Sequence, residues 1–156
     1  MNLAPTLKIT PQLAKKIRQH GAESYPHECC GALLGRDQQG ERGGVAGKRE
    51  ILDVVPVLNR STTNARNRFS ISAEDVRDVE IASLSRGLDV VGWYHSHPDH
   101  AARPSEYDRQ NAWPWYSYVI VSVLQGEPED LTSWRLNDDG QGYSQEAIEL
   151  QYSASL

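Results

Sequence analysis

Sulfur is scarce in this chain, with two cysteines and one methionine among 156 residues. Cys29 and Cys30 are adjacent, and neighbours in sequence do not readily meet disulfide geometry, so no disulfide framework is expected. The chain is accordingly read as a reduced, cytoplasmic protein. Long apolar runs are also missing. The richest, "YSYVIVSVL", falls far short of the roughly 20 residues a membrane span needs. The opening "MNLAPTLKIT" lacks the apolar core and small-residue cleavage site of a secretory signal. There is no basic excess either: 16 Lys and Arg stand against 21 Asp and Glu, a net charge of −5. A nucleic-acid footprint, which needs clustered cations, is not expected. Internal repeats, heptads and low-complexity tracts are absent. What remains, 38% hydrophobic and 24% charged residues, is the composition of a globular protein. A chain of this length buries about 68–70% of its unfolded surface, and residues 1–156 are expected to form one domain.

Helix and strand signals follow one another along the chain. Thr10 as N-cap and Pro11 at the first helical position open a helix with Leu13 and Ile17 on one face, its end left open by Gly21 and Pro26. "CCGALLG" (Cys29 to Gly35) is a glycine-bounded apolar run that reads as a buried strand. "DQQGERGGVAG" reads as a loop, and "REILDVVPVLN" restores strand character through Asn59. "RSTTNARNR" is a further loop. Ser72 with Asp75 resembles a capping box, and Val76, Val79 and Leu84 predict a helix ending at Gly87. "LDVVGWYHSH" (Leu88 to His97) is a strand, and "PSEYDRQNAW" a short helix capped by Ser105 and stopped by Pro114. "YSYVIVSVL" and "LTSWRL" are strands on either side of the turn "QGEPED", while the tail from Gly142 carries no clear signal. This order predicts a mixed sheet flanked by helices, an α/β or α+β domain.

The chemistry concentrates in "YHSHPDHAARPSEYD", which holds three of the five histidines. Alternate residues of a strand share a face, so His95 and His97 project together and Ser96 points away. Two imidazoles make half of a zinc site, and Asp108, carried back by the loop "PDHAARP" to the first turn of the capped helix, is the candidate third ligand. Two histidines and a carboxylate leave one tetrahedral position open, as catalytic rather than structural zinc sites do; iron, cobalt or nickel suit the same donors. His100 is out of phase with the pair and is assigned to solvent or substrate contact, and Asp99 to a turn. The adjacent cysteines lack metal-site spacing, and core packing is expected of at least one. Trp93, Tyr94, Trp113 and Trp115 are read mostly as core, with one or two lining the substrate approach.

Seven residues separate His97 from Ser105 and two separate Ser105 from Asp108. With the preceding His-x-His-Pro and with Glu28 in "YPHECCGALLG", this resembles the signature of the JAMM metalloisopeptidases, the catalytic form of the MPN domain, in its prokaryotic branch. The resemblance runs from about Leu7 to Leu136. It implies a curved mixed β-sheet between helices, related to the cytidine deaminase architecture. It implies that His95, His97 and Asp108 hold Zn2+. Glu28 would take a proton from the attacking water and return one to the leaving amine, and Ser105 would donate to the oxyanion.

The resemblance further implies a zinc metallopeptidase cutting after the C-terminal Gly-Gly of a ubiquitin-like or β-grasp sulfur-carrier protein. Either trimming of a carrier extension or removal of carriers from lysines is compatible with it. An extended tail could dock by strand addition, steered by Arg60, Arg66 and Arg68. A zinc deaminase is excluded, because H-x-E followed by P-C-x-x-C is absent. The alternative of another class is a non-catalytic, zinc-stabilised binding module.

Overall fold

The computed structural model describes residues 5–38, 48–61 and 68–152. Seven strands and three helices follow in the order β1 (Thr6–Ile9), α1 (Pro11–Ser24), β2 (Cys30–Gln38), β3 (Lys48–Val57), α2 (Ala73–Ser85), β4 (Asp89–Pro98), α3 (Glu106–Asn111), β5 (Ser117–Leu124), β6 (Glu127–Leu136) and β7 (Tyr143–Leu150). The sheet is mixed, as expected, and it closes into a barrel in the order β1-β3-β2-β4-β5-β6-β7. The closing seam is a parallel pairing of β1 with β7, Thr6 against Ala147 through Ile9 against Leu150. None of the described helices is long and apolar enough to cross a membrane.

Local signals explain the helix starts. The Thr10 hydroxyl accepts from the Leu13 N–H with proline at the start of α1, and the Ser72 hydroxyl accepts from the Asp75 N–H at the start of α2. α1 runs through Gly21, past the uncertain point, to Ser24. Gly87, at φ +68°, ends the turn after α2 in the left-handed conformation that glycine adopts without penalty.

Two apolar clusters flank the central strands. One joins Ala14 and Ile17 of α1 to Leu33, Val91, Tyr94, Val119 and Val121. The other joins Val79 of α2 to Leu34, Val90, Trp93 and Tyr118. β4 lies between them, buried from Val90 to Pro98. Gly31 makes room on the α1 side: a Cβ there would sit 2.1 Å from the Tyr94 ring. Tyr94 thereby reaches His20, with its hydroxyl 2.7 Å from Nδ1.

Several expectations need adjusting. β1 and β7 were not anticipated. Trp113 and Trp115 are not core residues, being 48% and 47% exposed, because the chain turns outward around Pro114 before β5. Trp115 lies instead over the Arg49 guanidinium, 4.1 Å from its ring centre. Both cysteines are free and buried, and burial pushes the Cys29 thiol up to about 11 and the Cys30 thiol up to about 12. Most of the loop "DQQGERGGVAG", the middle of "RSTTNARNR" and Arg66 lie outside the described residues.

Candidate metal centre

Strand register brings distant residues together. β2 and β4 are antiparallel, with Cys30 opposite His95. Just before β2, the Cys29 carbonyl accepts from Ser96 N at 3.1 Å and the Cys29 N–H donates to Ser96 Oγ at 2.8 Å. Continuing that register by two residues sets Glu28 across from His97. Ser96 therefore tethers the pair on one face while His95 and His97 project from the other. The tight turn after β4 places Asp99 at φ +59°, where its carboxylate accepts from Gln125 N and the Tyr25 hydroxyl. His100, next along, is exposed.

The third arm comes from α3. Ser105 and Asp108 form a reciprocal capping box: Asp108 N donates to Ser105 Oγ at 3.0 Å, and Ser105 N donates to Asp108 Oδ2 at 2.8 Å. The cap thus aims the carboxylate. Asp108 Oδ2 lies 3.2 Å from His95 Nε2 and 3.1 Å from His97 Nε2, and the two ring nitrogens are 3.1 Å apart. Glu28 offers a carboxylate oxygen within 4.8 Å of ring nitrogens of both histidines. All four side chains are buried: Glu28 5%, His95 1%, His97 6% and Asp108 8% exposed. Ser105 is exposed.

The proton inventory shows what the triangle lacks. His97 Nδ1 is 2.8 Å from the Ala101 carbonyl oxygen, which can only accept, so that nitrogen carries the proton and Nε2 presents a lone pair. His95 stacks on Phe69, with ring centres 4.5 Å apart, and its Nδ1 has no hydrogen-bond partner among the described residues. The Nε2 atoms of two imidazoles and one carboxylate oxygen converge on a single point, an arrangement open to a cation. In a tetrahedron with ligand bonds of about 2.0 Å, ligand atoms are about 3.3 Å apart. The observed 3.1–3.2 Å edges fit a first-row metal ion held by His95, His97 and Asp108.

Electrostatics separate the two acids. Burial pushes Asp108 up, but the two imidazoles and the Ser105 N–H outweigh it and hold the carboxyl well below the usual range. Burial also dominates at Glu28, opposed by His97 and reinforced by Asp108, and raises its carboxyl to about 8. Glu28 Oε1 is buried without a hydrogen-bond partner among the described residues. One acid is therefore kept as an anion beside the imidazoles, and the other is poised to hold a proton near neutrality.

Two supporting residues escaped the sequence reading. Phe69, the chain's single phenylalanine, stacks on a candidate ligand. Asn59 uses its whole amide: Nδ2 donates to the Glu28 and Arg68 carbonyls, and Oδ1 accepts from Ser61 N and Ser70 N. It ties the main chain at Glu28 to the segment carrying Phe69. An asparagine ending a strand before a polar loop was the available signal. Of the expected arginines, Arg60 pairs with Asp75, and Arg68 lies over the Tyr107 ring.

Residues 10–137 match the model of the prokaryotic homologues of the JAB domain, and the chain belongs to that family. Among curated proteins it is 34% identical over 106 residues to the Desampylase of Haloferax volcanii, covering 67% of this chain and 69% of that protein. It is 32% identical over 115 residues to the tail tip assembly protein K of Escherichia phage N15, covering 71% of this chain but 39% of the phage protein. Two solution structures share the fold. A protein from Desulfitobacterium hafniense gives a TM-score of 0.78 at 28% identity, covering 96% of this chain and 94% of that one. A protein from Salinibacter ruber gives 0.69 at 39% identity, covering 97% and 92%.

Proposed function

We propose that residues 1–156 act as one zinc-dependent metallopeptidase domain that hydrolyses the bond after the C-terminal Gly-Gly of a ubiquitin-like or sulfur-carrier protein. The observation that carries this reading is the convergence of His95 Nε2, His97 Nε2 and Asp108 Oδ2 at 3.1–3.2 Å beside a buried, protonatable Glu28. The relation to a desampylase supports a ubiquitin-like modifier as substrate. The buried thiols fit a reducing, cytoplasmic setting.

His95, His97 and Asp108 would hold the zinc, which when bound supplies Lewis-acid polarisation of a carbonyl and activation of water at neutral pH. The chain's own residues do the rest. Glu28 takes the proton of the attacking water on its carboxylate and returns one to the leaving nitrogen. Such general acid–base help is typically worth 10²–10⁴-fold. A metal ion held by His95, His97 and Asp108 would favour the ionised form of Glu28, whose carboxyl burial otherwise raises to about 8. Ser105 Oγ accepts from Asp108 N, which leaves its hydroxyl proton to donate to the carbonyl oxygen as negative charge develops there. A groove bordered by His20, His27, Glu28, Pro56, Leu58 and Asn59 gives an extended tail access to Glu28.

The test is a paired measurement of zinc content and cleavage of a carrier fusion extended beyond Gly-Gly, for wild type and Glu28→Ala. Stoichiometric zinc in both with cleavage lost in the variant is expected. A wild type that holds zinc and cuts no carrier from its own genome would contradict the reading. That result would favour the second one, a zinc-stabilised binding module, to which the assembly role in the phage relative's name lends support.

A further inference from the structure

Beside the metal-site residues lies a cavity of about 140 Å³ that none of the roles above uses. Its apolar walls include Phe69, Ile71, Trp93 and Tyr118, and His95 and Asp108 close one end. Trp93 precedes His95 by two positions on β4, so both side chains project from the same face of the strand. The exposed Ser70 and Asn111 also border the cavity and mark where it meets solvent.

A buried N–H donor belongs to this wall. Trp93 is 2% exposed, and its Nε1, a donor that cannot accept, has no hydrogen-bond partner among the described residues. His95 Nδ1, on the same strand face, is also buried without a partner among the described residues. Buried donors of this kind are nearly always paired. Aromatic walls with an unpaired donor suit an apolar group that brings an acceptor with it. The volume sets the size: an engineered cavity of about 150 Å³ binds benzene.

We propose that this cavity is a subsite for a ring-sized apolar side chain on the amine side of the scissile bond. The assignment rests on the proposed cleavage after Gly-Gly. There the acyl side ends in glycines without side chains, so the side chain within reach of His95 and Asp108 belongs to the leaving residue. The carbonyl of that residue is the acceptor offered to the Trp93 indole N–H. The substrate class is then a carrier whose extension begins with an aromatic or branched apolar residue.

Phenylalanine amide, alanine amide and lysine amide serve as probes of the full-length protein, with and without zinc, followed through the assigned Trp93 indole N–H resonance. Phenylalanine amide is expected to shift that resonance saturably and to bind at least 10-fold more tightly than alanine or lysine amide. Ala112→Leu, which fills the cavity from its wall, is expected to abolish the shift while zinc content is retained. Carrier fusions ending Gly-Gly-Phe, Gly-Gly-Ala and Gly-Gly-Lys then test specificity, with kcat/KM for the first exceeding the others by on the order of 10-fold or more and that preference lost in Ala112→Leu. Equal rates for the three fusions, or an unmoved Trp93 resonance, would overturn the subsite and leave the hydrolase reading standing. Cleavage of none of them, with phenylalanine amide still bound, would overturn the hydrolase reading and keep the apolar site.

Discussion

The two ends of β4 both bury charge, and they handle it in opposite ways. Near the start, Arg49 of β3 donates to the Val91 carbonyl at 3.1 Å and to Ser117 Oγ at 3.0 Å, with Asp37 3.7 Å away. Ser117 passes the connection to Glu146 of β7, whose Oε1 also accepts from Ser133 Oγ and whose Oε2 accepts from Arg135 Nε. Every oxygen of Glu146 has donors, and the cluster ties six strands together, β2 to β7. At the other end, the Nε2 atoms of His95 and His97 meet Asp108 Oδ2, and Glu28 Oε1, like Arg49 Nε and Asp37 Oδ1 in the first cluster, has no partner among the described residues. The first cluster saturates a buried carboxylate with donors and is an internal fastening. The second gathers two imidazoles and a carboxylate around one point, a donor set that suits a metal ion.

Four measurements sharpen or break this contrast. At the metal end, Glu28→Gln should lower kcat by about 10²–10⁴-fold, the range of a general acid–base, with the unfolding midpoint unchanged or raised because a buried ionisable group is gone. A variant that stays active would remove Glu28 from the chemistry. At the fastened end, Glu146→Ala leaves the Arg135 cation without its carboxylate and the Ser117 and Ser133 hydroxyls without their acceptor. It should cost about 3–5 kcal/mol of stability by urea unfolding, with zinc affinity unaltered in the folded fraction. A loss of much under that would show the network to be ornamental.

Ser105→Ala tests a residue with two duties. Loss of the cap should cost about 1 kcal/mol of stability, and loss of the hydroxyl donor about 10²–10³-fold in kcat. A stability loss with kcat intact would reduce Ser105 to its cap. The smallest effect is expected at His20, outside both clusters. Burial, opposed by Glu23, lowers its pKa below the ordinary 6.5. The unfolded chain therefore takes up a proton that the folded chain resists, and stability present above pH 6.5 is lost as the pH falls below it. Stability of His20→Gln should depend less on pH across that window; an unchanged slope would contradict the assignment.

The same contrast explains what could be read from the sequence. The proximity of His95, His97 and Asp108 was legible because its parts are local: His-x-His on one strand face, and Ser105 and Asp108 joined in one capping box. The placement of Glu28 and the expected role of Ser105 depended on the family resemblance, and Glu28 reaches the site through β2–β4 register rather than through spacing. The fastened end was invisible. The one fully buried position of β7 is Glu146, so the strand shows no apolar alternation, and β1 has four residues and pairs with β7 across the length of the chain. Closure of the barrel thus rests on elements whose inward-facing chemistry is polar or whose partners are remote, and neither leaves a periodic signal.

The proposed function assigns a metal to Asp108 and proton transfer to Glu28, although Glu28, His95 and His97 also lie close enough together to form a ligand set. Zinc affinity of Glu28→Gln against Asp108→Asn decides between them. Glu28→Gln is expected to bind one zinc nearly as tightly as wild type, and Asp108→Asn to lose most of its affinity. Retention of zinc by Asp108→Asn with loss in Glu28→Gln would reverse the two acids and contradict that assignment.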